Sequence, residues 1–186
     1  MYKLSELNRI CSKCNRCRLH ESRNNVVFGE GNINTDLMFV GEGPGSNEDR
    51  LGRPFVGKAG NLLDKMLKAI DLTRNEIYIT NIVKCRPPGN RNPEESEIEK
   101  CLPYLRWQVK IIQPKIIVSL GSISAKVIID DNIKITKDRG RIYKKGNIKF
   151  IPTLHPAYLL RNPSAKKDSW EDFKLLSKTL KEIRSI

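Results

Sequence analysis

No run of about 18 apolar residues, the length needed to cross a bilayer, occurs in this chain of 186 residues. The opening MYKLSELNRI also lacks the long apolar centre and small-residue cleavage site of a secretory signal. The chain therefore reads as a soluble, cytoplasmic protein with no membrane partner. Histidine is scarce, with only His20 and His155, which argues against a histidine-rich metal site. Glycine (12) and proline (10) are too few for a collagen-like or low-complexity chain. Acidic residues are outnumbered, 21 Asp and Glu against 34 Lys and Arg, for a net charge of +13. Such an excess favours a polyanion such as nucleic acid, whose phosphates release counterions to Lys and Arg. The competing reading is a dispersed, solvated basic surface.

The length suits one domain of roughly 100–200 residues, and no repeat or flexible linker divides it. A single domain over residues 1–186 is expected, with the clustered Cys11, Cys14 and Cys17 marking an N-terminal metal-binding extension over about residues 1–30. Leu37-Met38-Phe39-Val40 is a short apolar run ending in Gly41-Glu42-Gly43-Pro44-Gly45, as a buried strand enters a loop. Leu62, Leu63, Met66, Leu67 and Ile70 recur at helical spacing and predict a helix over 59–70. Strands follow at 77–83, 115–120 and 148–154, and helices at 94–112, 122–129 and 169–183. The alternation predicts an α/β fold in three layers, with a central four-stranded parallel sheet between helices. Ligands of such sheets bind beyond the carboxyl ends of the strands. The loops leaving three of those ends begin at Gly41, near Asn81 and at His155, so one site built from all three is expected.

Each loop carries a polar group. The three glycines around Glu42 allow close backbone approach to a flat ligand, although such turns also serve as plain strand exits. The loop is not a phosphate-binding GK[ST] loop, and Pro44 breaks the dinucleotide fingerprint. Phe55, between Pro54 and Gly57, is either a hydrophobic staple for the next helix or a platform on which a base stacks. Asn81 ends an apolar strand, where it either satisfies its own turn or reads the edge of a base. His155, before Pro156, is either structural or a stabiliser of developing negative charge.

Five cysteines in a cytosolic setting are poor disulfide partners. Cys14 and Cys17 with the distant Cys85 and Cys101 supply four thiolates, suited to zinc or to an iron–sulfur cluster. Cys11 offers an alternative pair with Cys14, so spacing leaves the ligand set open.

Together the segments Cys14-x-x-Cys17-x-Leu19, VVFGEG at 26–31, GEGPG at 41–45 with Glu48-Asp49, GRPFVGKAG at 52–60, YITNIVKCRPP at 78–88 and HPAYLLRNPS at 155–164 resemble the family-4 uracil-DNA glycosylases. The resemblance runs in order over nearly the whole chain. It implies the fold of those enzymes and the removal of uracil from single- and double-stranded DNA, leaving an abasic site and free uracil in base excision repair. It also implies a 4Fe-4S cluster on Cys14, Cys17, Cys85 and Cys101, with Cys11 spare. The uracil pocket maps onto Glu42, Gly43, Phe55, Asn81 and His155. The family further implies a monomer that contacts a sliding clamp, which no segment marks.

Extrusion of the nucleotide is required, because the glycosidic bond is inaccessible inside the base stack. His155 is expected to stabilise the departing uracil anion. The family-1 relatives have an Asp where this chain has Gly43, so no water-activating carboxylate transfers by position. Glu42, Glu48 and Asn90 are the candidates for that catalytic role. Ser46-Asn47 stands where relatives commonly carry acids. Tyr158, Leu159 and Leu160 are expected to wedge into DNA while Arg161, Lys166 and Lys167 hold phosphates, the alternative being a short helix whose leucines face the core. Two rival functions are a zinc-stapled nucleic-acid-binding module and an enzyme acting on free nucleobases or nucleotides.

Overall fold

The computed structural model describes residues 3–185. Its six strands are β1 (Glu30–Gly31), β2 (Leu37–Gly41), β3 (Tyr78–Asn81), β4 (Ile116–Leu120), β5 (Tyr143–Lys145) and β6 (Ile148–Thr153). They form one sheet in the order β1-β3-β2-β4-β6-β5. The four central strands are parallel, as the alternation of strands and helices dictates. The expected four-stranded sheet is thus extended by two short antiparallel edges, β1 on β3 and β5 on β6. Neither edge had a legible apolar run: β1 is two residues long, and β5 is largely exposed Tyr143-Lys144-Lys145.

The helices are α1 (Leu4–Ser12), α2 (Ser46–Leu51), α3 (Lys58–Lys68), α4 (Glu95–Ile112), α5 (Ser122–Ile128), α6 (Ile135–Asp138), α7 (Pro156–Arg161) and α8 (Lys166–Arg184). Among the described residues no helix is long and apolar enough to cross a membrane.

Strand periodicity divides the core in two. Successive side chains of a strand point to opposite faces, and β2 sends Leu37 and Phe39 to one side and Met38 and Val40 to the other. Leu37 and Phe39 join Leu63 and Leu67 of α3 and Phe173, Leu176 and Leu180 of α8. Met38 and Val40 join Leu7 and Cys11 of α1, Tyr104 and Leu105 of α4, and Ala125 of α5. The N-terminal segment is thereby part of the main core. Burial on both faces explains why these strands read as continuous apolar runs.

Register fixes where the loops leave. Gly41 lies opposite Asn81 across β2 and β3, and Leu120 opposite Thr153 across β4 and β6. The glycine-rich loop, the segment after Asn81 and His155 consequently emerge at one end of the sheet.

Candidate active site

A cavity of about 400 Å³ opens at that end, lined by Glu42, Gly43, Phe55, Asn81, Asn90 and His155, with Glu48, Tyr158 and Arg161 also on its wall. The three loops that the sequence singles out share one mouth.

Asn81 forms the floor. Its side chain is 1% exposed, and Oδ1 is a buried acceptor with no partner among the described residues. An unpaired buried acceptor costs about 1–3 kcal/mol, which is offset only when a donor arrives. Gly41 makes this arrangement geometrically feasible: a Cβ there would run into Asn81 Oδ1 and the Phe55 ring. Beneath Asn81 lies Lys84, 1% exposed, whose Nζ donates to the Asn81 carbonyl at 2.7 Å, to Thr80 Oγ1 at 2.5 Å and to Gln108 Oε1 at 2.7 Å. Sequence reading passed over Lys84, because a lysine next to a cysteine motif carries no sign that it points inward.

His155 caps α7. Its Nδ1 accepts the Ala157 amide at 3.1 Å, so this nitrogen is unprotonated and the ring proton of a neutral imidazole sits on Nε2. Burial, aided by Arg161 and opposed by Glu48, depresses its pKa to about 4. At neutral pH the residue is therefore a neutral N–H donor. Its ring lies beside that of Phe55 in the cavity lining, with centroids 5.7 Å apart and planes tilted by 32°.

Phe55 is 4% exposed and belongs both to the core cluster that includes Leu63 of α3 and to the cavity lining. A single ring thus joins the helix-side packing and the site, two roles that the sequence presents as alternatives.

The three candidate water-activating groups differ in what they already hold. Glu48 Oε1 accepts the amides of Val56 and Gly57, both at 2.8 Å, and so is committed to the Phe55 loop. Asn90, at the exposed turn Pro88–Asn90, accepts Arg86 Nε at 2.8 Å through Oδ1. Glu42 is half-buried, and burial alone raises its pKa with no cation set against it.

On α7 the expected wedge divides by helical periodicity. Tyr158 and Leu160 are 38% and 41% exposed, whereas Leu159 is 1% exposed and packs inward. The expectation that Leu159 enters DNA is therefore corrected: Tyr158 and Leu160 are the apolar surface residues of this helix. Arg161, Lys166 and Lys167 are exposed beside them.

A second, smaller cavity is lined by all five cysteines, Cys11, Cys14, Cys17, Cys85 and Cys101, with Arg23, Lys84 and Tyr104. They come from α1, the loop after it, the segment after β3, and α4. No disulfide joins any of the five. Among the described residues no group of three or more His, Cys, Asp or Glu side chains is arranged to hold a single metal ion. The donor chemistry, soft sulfurs gathered from separate segments, fits a thiolate-bound metal centre. Nearby donors are in place to support it: Lys84 N–H reaches Cys101 Sγ at 3.2 Å, and Arg23 Nη1 reaches Cys85 Sγ at 3.3 Å and the Cys14 carbonyl at 2.7 Å. Burial holds the Cys101 thiol up at about 11 and also raises Cys85.

Comparison with known proteins agrees with this geometry. Residues 28–176 match the family model described as the uracil DNA glycosylase superfamily. The chain is 49% identical to the type-4 uracil-DNA glycosylase of Sulfurisphaera tokodaii, over 94% of this chain and 83% of that one. It is 49% identical to that of Thermotoga maritima over 88% of each chain, and 41% identical to that of Archaeoglobus fulgidus over 94% and 92%. Several such relatives, matched over most of their length, place it: the chain belongs to the type-4 uracil-DNA glycosylases.

Proposed function

We propose that the chain excises uracil from DNA by holding a swung-out deoxyuridine in the Asn81 cavity and hydrolysing its glycosidic bond. The observation that carries this reading is the orphaned Asn81 Oδ1 at the floor of a cavity shared with Phe55 and His155. Uracil presents O4 as an acceptor beside N3–H as a donor. The Asn81 amide matches both, Oδ1 taking N3–H and Nδ2 donating to O4, while cytosine would meet this orientation with the wrong polarity. Phe55 stacks on the ring.

His155 donates from Nε2 to the uracil O2. The N1–C1′ bond breaks with its electron pair on the base, and the imidazole proton stabilises the charge that develops there. A water oxygen bonds to C1′, and its proton passes to the Glu42 carboxylate, the acid among the candidates that no partner occupies among the described residues. Glu48 holds the Phe55 loop, and Asn90 borders the entrance. Tyr158 and Leu160 fill the gap left in the base stack, while Arg161, Lys166 and Lys167 contact phosphates.

The five-cysteine cavity supports a 4Fe-4S cluster on Cys14, Cys17, Cys85 and Cys101, which when bound would tie the N-terminal segment to the Asn81 loop and α4. Brown colour and bound iron in anaerobically purified protein support this assignment; a colourless zinc protein would contradict it.

Incubation with a uracil-containing oligonucleotide followed by alkali tests the activity. Strand breakage at uracil, and none at cytosine, is the expected result. Intact strands with single- and double-stranded substrates alike would overturn the reading.

A further inference from the structure

Phe55 sits in the left-handed region, at φ 52°. A side chain with a Cβ adopts that conformation only where its surroundings over-determine it. Three groups supply the constraint. Gly60, at the start of α3, has no Cβ, and one added there would collide with the Phe55 carbonyl. Glu48 takes the amides of Val56 and Gly57 on the far side of Phe55. Arg74 takes the carbonyls: Nη1 donates to the Pro54 oxygen at 3.1 Å and Nη2 donates to the Phe55 oxygen.

The guanidinium is itself fixed. Arg74 Nε donates to Asp64 of α3 at 2.6 Å, and Nη1 donates to Glu30 of β1 at 2.9 Å. A capping box between Thr73 and Glu76 sets the turn from which it projects, and its side chain is only 20% exposed. Donors splayed in a rigid plane can grip two carbonyls and two carboxylates at once; a lysine cannot.

We propose that Arg74 is a positioning residue for base recognition, acting through Phe55: it locks the Pro54–Phe55 backbone so that the ring stands beside His155 in the cavity lining. The proposal rests on the reading of that cavity as the uracil pocket. Arg74 lies outside the cavity wall, so its effect is on where the stacking ring stands and not on contact with the base.

The test compares the full chain with Arg74→Gln and Arg74→Lys. The readouts are single-turnover excision, inhibition by free uracil, affinity for DNA that already carries an abasic site, and hydrogen exchange of the loop amides. Arg74→Gln should slow excision by about 10- to 100-fold, the scale of loss that misplacement of a binding group produces. It should weaken inhibition by uracil in parallel, speed exchange at Val56 and Gly57, and leave affinity for abasic DNA unchanged. Arg74→Lys, able to reach one carbonyl, should recover part of the loss. Parental excision and uracil inhibition in Arg74→Gln would overturn the proposal, as would an equal loss of affinity for abasic DNA. If Arg74→Gln does not fold, Asp64→Asn, which frees the guanidinium without removing it, should show the same pattern in weaker form, and parental behaviour there would also overturn it. A parental chain that excises no uracil would refute the pocket assignment instead. The exchange data judge the clamp separately in that case: unchanged exchange at Val56 and Gly57 refutes it.

Discussion

The Ala157 amide points at His155 Nδ1 from 3.1 Å. This one hydrogen bond decides the tautomer, because an amide can only donate and Nδ1 must then be bare. In the proposed reaction the proton left on Nε2 is the one offered to the leaving uracil. With the imidazole pKa depressed to about 4 by burial, the donor form persists well below neutrality. The acid limb of excision should thus come from Glu42, whose pKa burial lifts above its ordinary 4.5. Single-turnover rates across pH should fall there and show no step near 6.5. In Glu42→Gln the residual activity should lose that limb and decline only near 4. His155→Ala should cost about 10²–10³ in rate, as the loss of one anion-stabilising donor does.

The same depression has a consequence for stability. As pH falls from about 6.5 toward about 4, the unfolded chain binds a proton at His155 that the native chain refuses. Stability must decline with acidity across that window. Chemical denaturation of the parent and of His155→Ala between these limits should show a shallower decline in the variant. Equal slopes would mean that His155 titrates normally in the fold.

Gly41 is a place where a single methyl should separate stability from activity. Its Cβ would meet Asn81 Oδ1 and the Phe55 ring together. Overpacking of this kind costs typically 1–3 kcal/mol, so Gly41→Ala should lower the melting temperature by several degrees. Excision measured below that melting point should fall much further than the loss of folded protein if, as proposed, the displaced groups are the amide that reads the base and the ring that stacks on it.

The architecture and the three converging loops were legible because doubly buried strands leave unmistakable apolar runs, and because a parallel sheet fixes which ends carry a site. What escaped the sequence is contact made at a distance. The edge strand Glu30–Gly31 exists only because it meets Tyr78 and Ile79. Leu159 and Leu160 look equivalent as letters, and the helix turns one inward and the other out. Glu48 stands in the sequence as one of three candidates for water activation, and nothing there shows that its Oε1 accepts the Val56 and Gly57 amides. Arg74 gave no signal at all, since one arginine in a chain of net charge +13 is anonymous until its partners are known.

The thiol cavity makes its own prediction about Cys11. All five cysteines border it, and Cys11 of α1, 1% exposed, is the most deeply buried of the three that belong to the main core, the others being Cys85 and Cys101. If Cys14, Cys17, Cys85 and Cys101 hold the cluster, replacing any of them with Ser should reduce bound iron and visible absorbance and lower the melting temperature, since metal-binding energy is then folding energy. Cys11→Ala should leave iron content unchanged and cost only the packing of a small buried side chain. Loss of iron in Cys11→Ala with retention in Cys17→Ser would reassign the ligands to Cys11, Cys14, Cys85 and Cys101.

Asn81 gives the sharpest test of what the pocket reads. Asn81→Ala removes both the orphaned acceptor and its paired donor, so uracil would bring N3–H and O4 into a buried space with nothing to meet them. Each unsatisfied group costs about 1–3 kcal/mol, and excision should drop by about 10²–10⁴ at 1.4 kcal/mol per decade. Asn81→Asp separates shape from polarity. An ionised Asp keeps the acceptor for N3–H but sets a second acceptor against O4, while cytosine would offer that position an amino donor. Uracil excision should fall strongly in Asn81→Asp, and the ratio of cytosine to uracil excision should rise above that of both the parent and Asn81→Ala. Equal ratios in the two variants would mean that Asn81 merely fills space, and that discrimination resides in the backbone around Glu42 and Gly43.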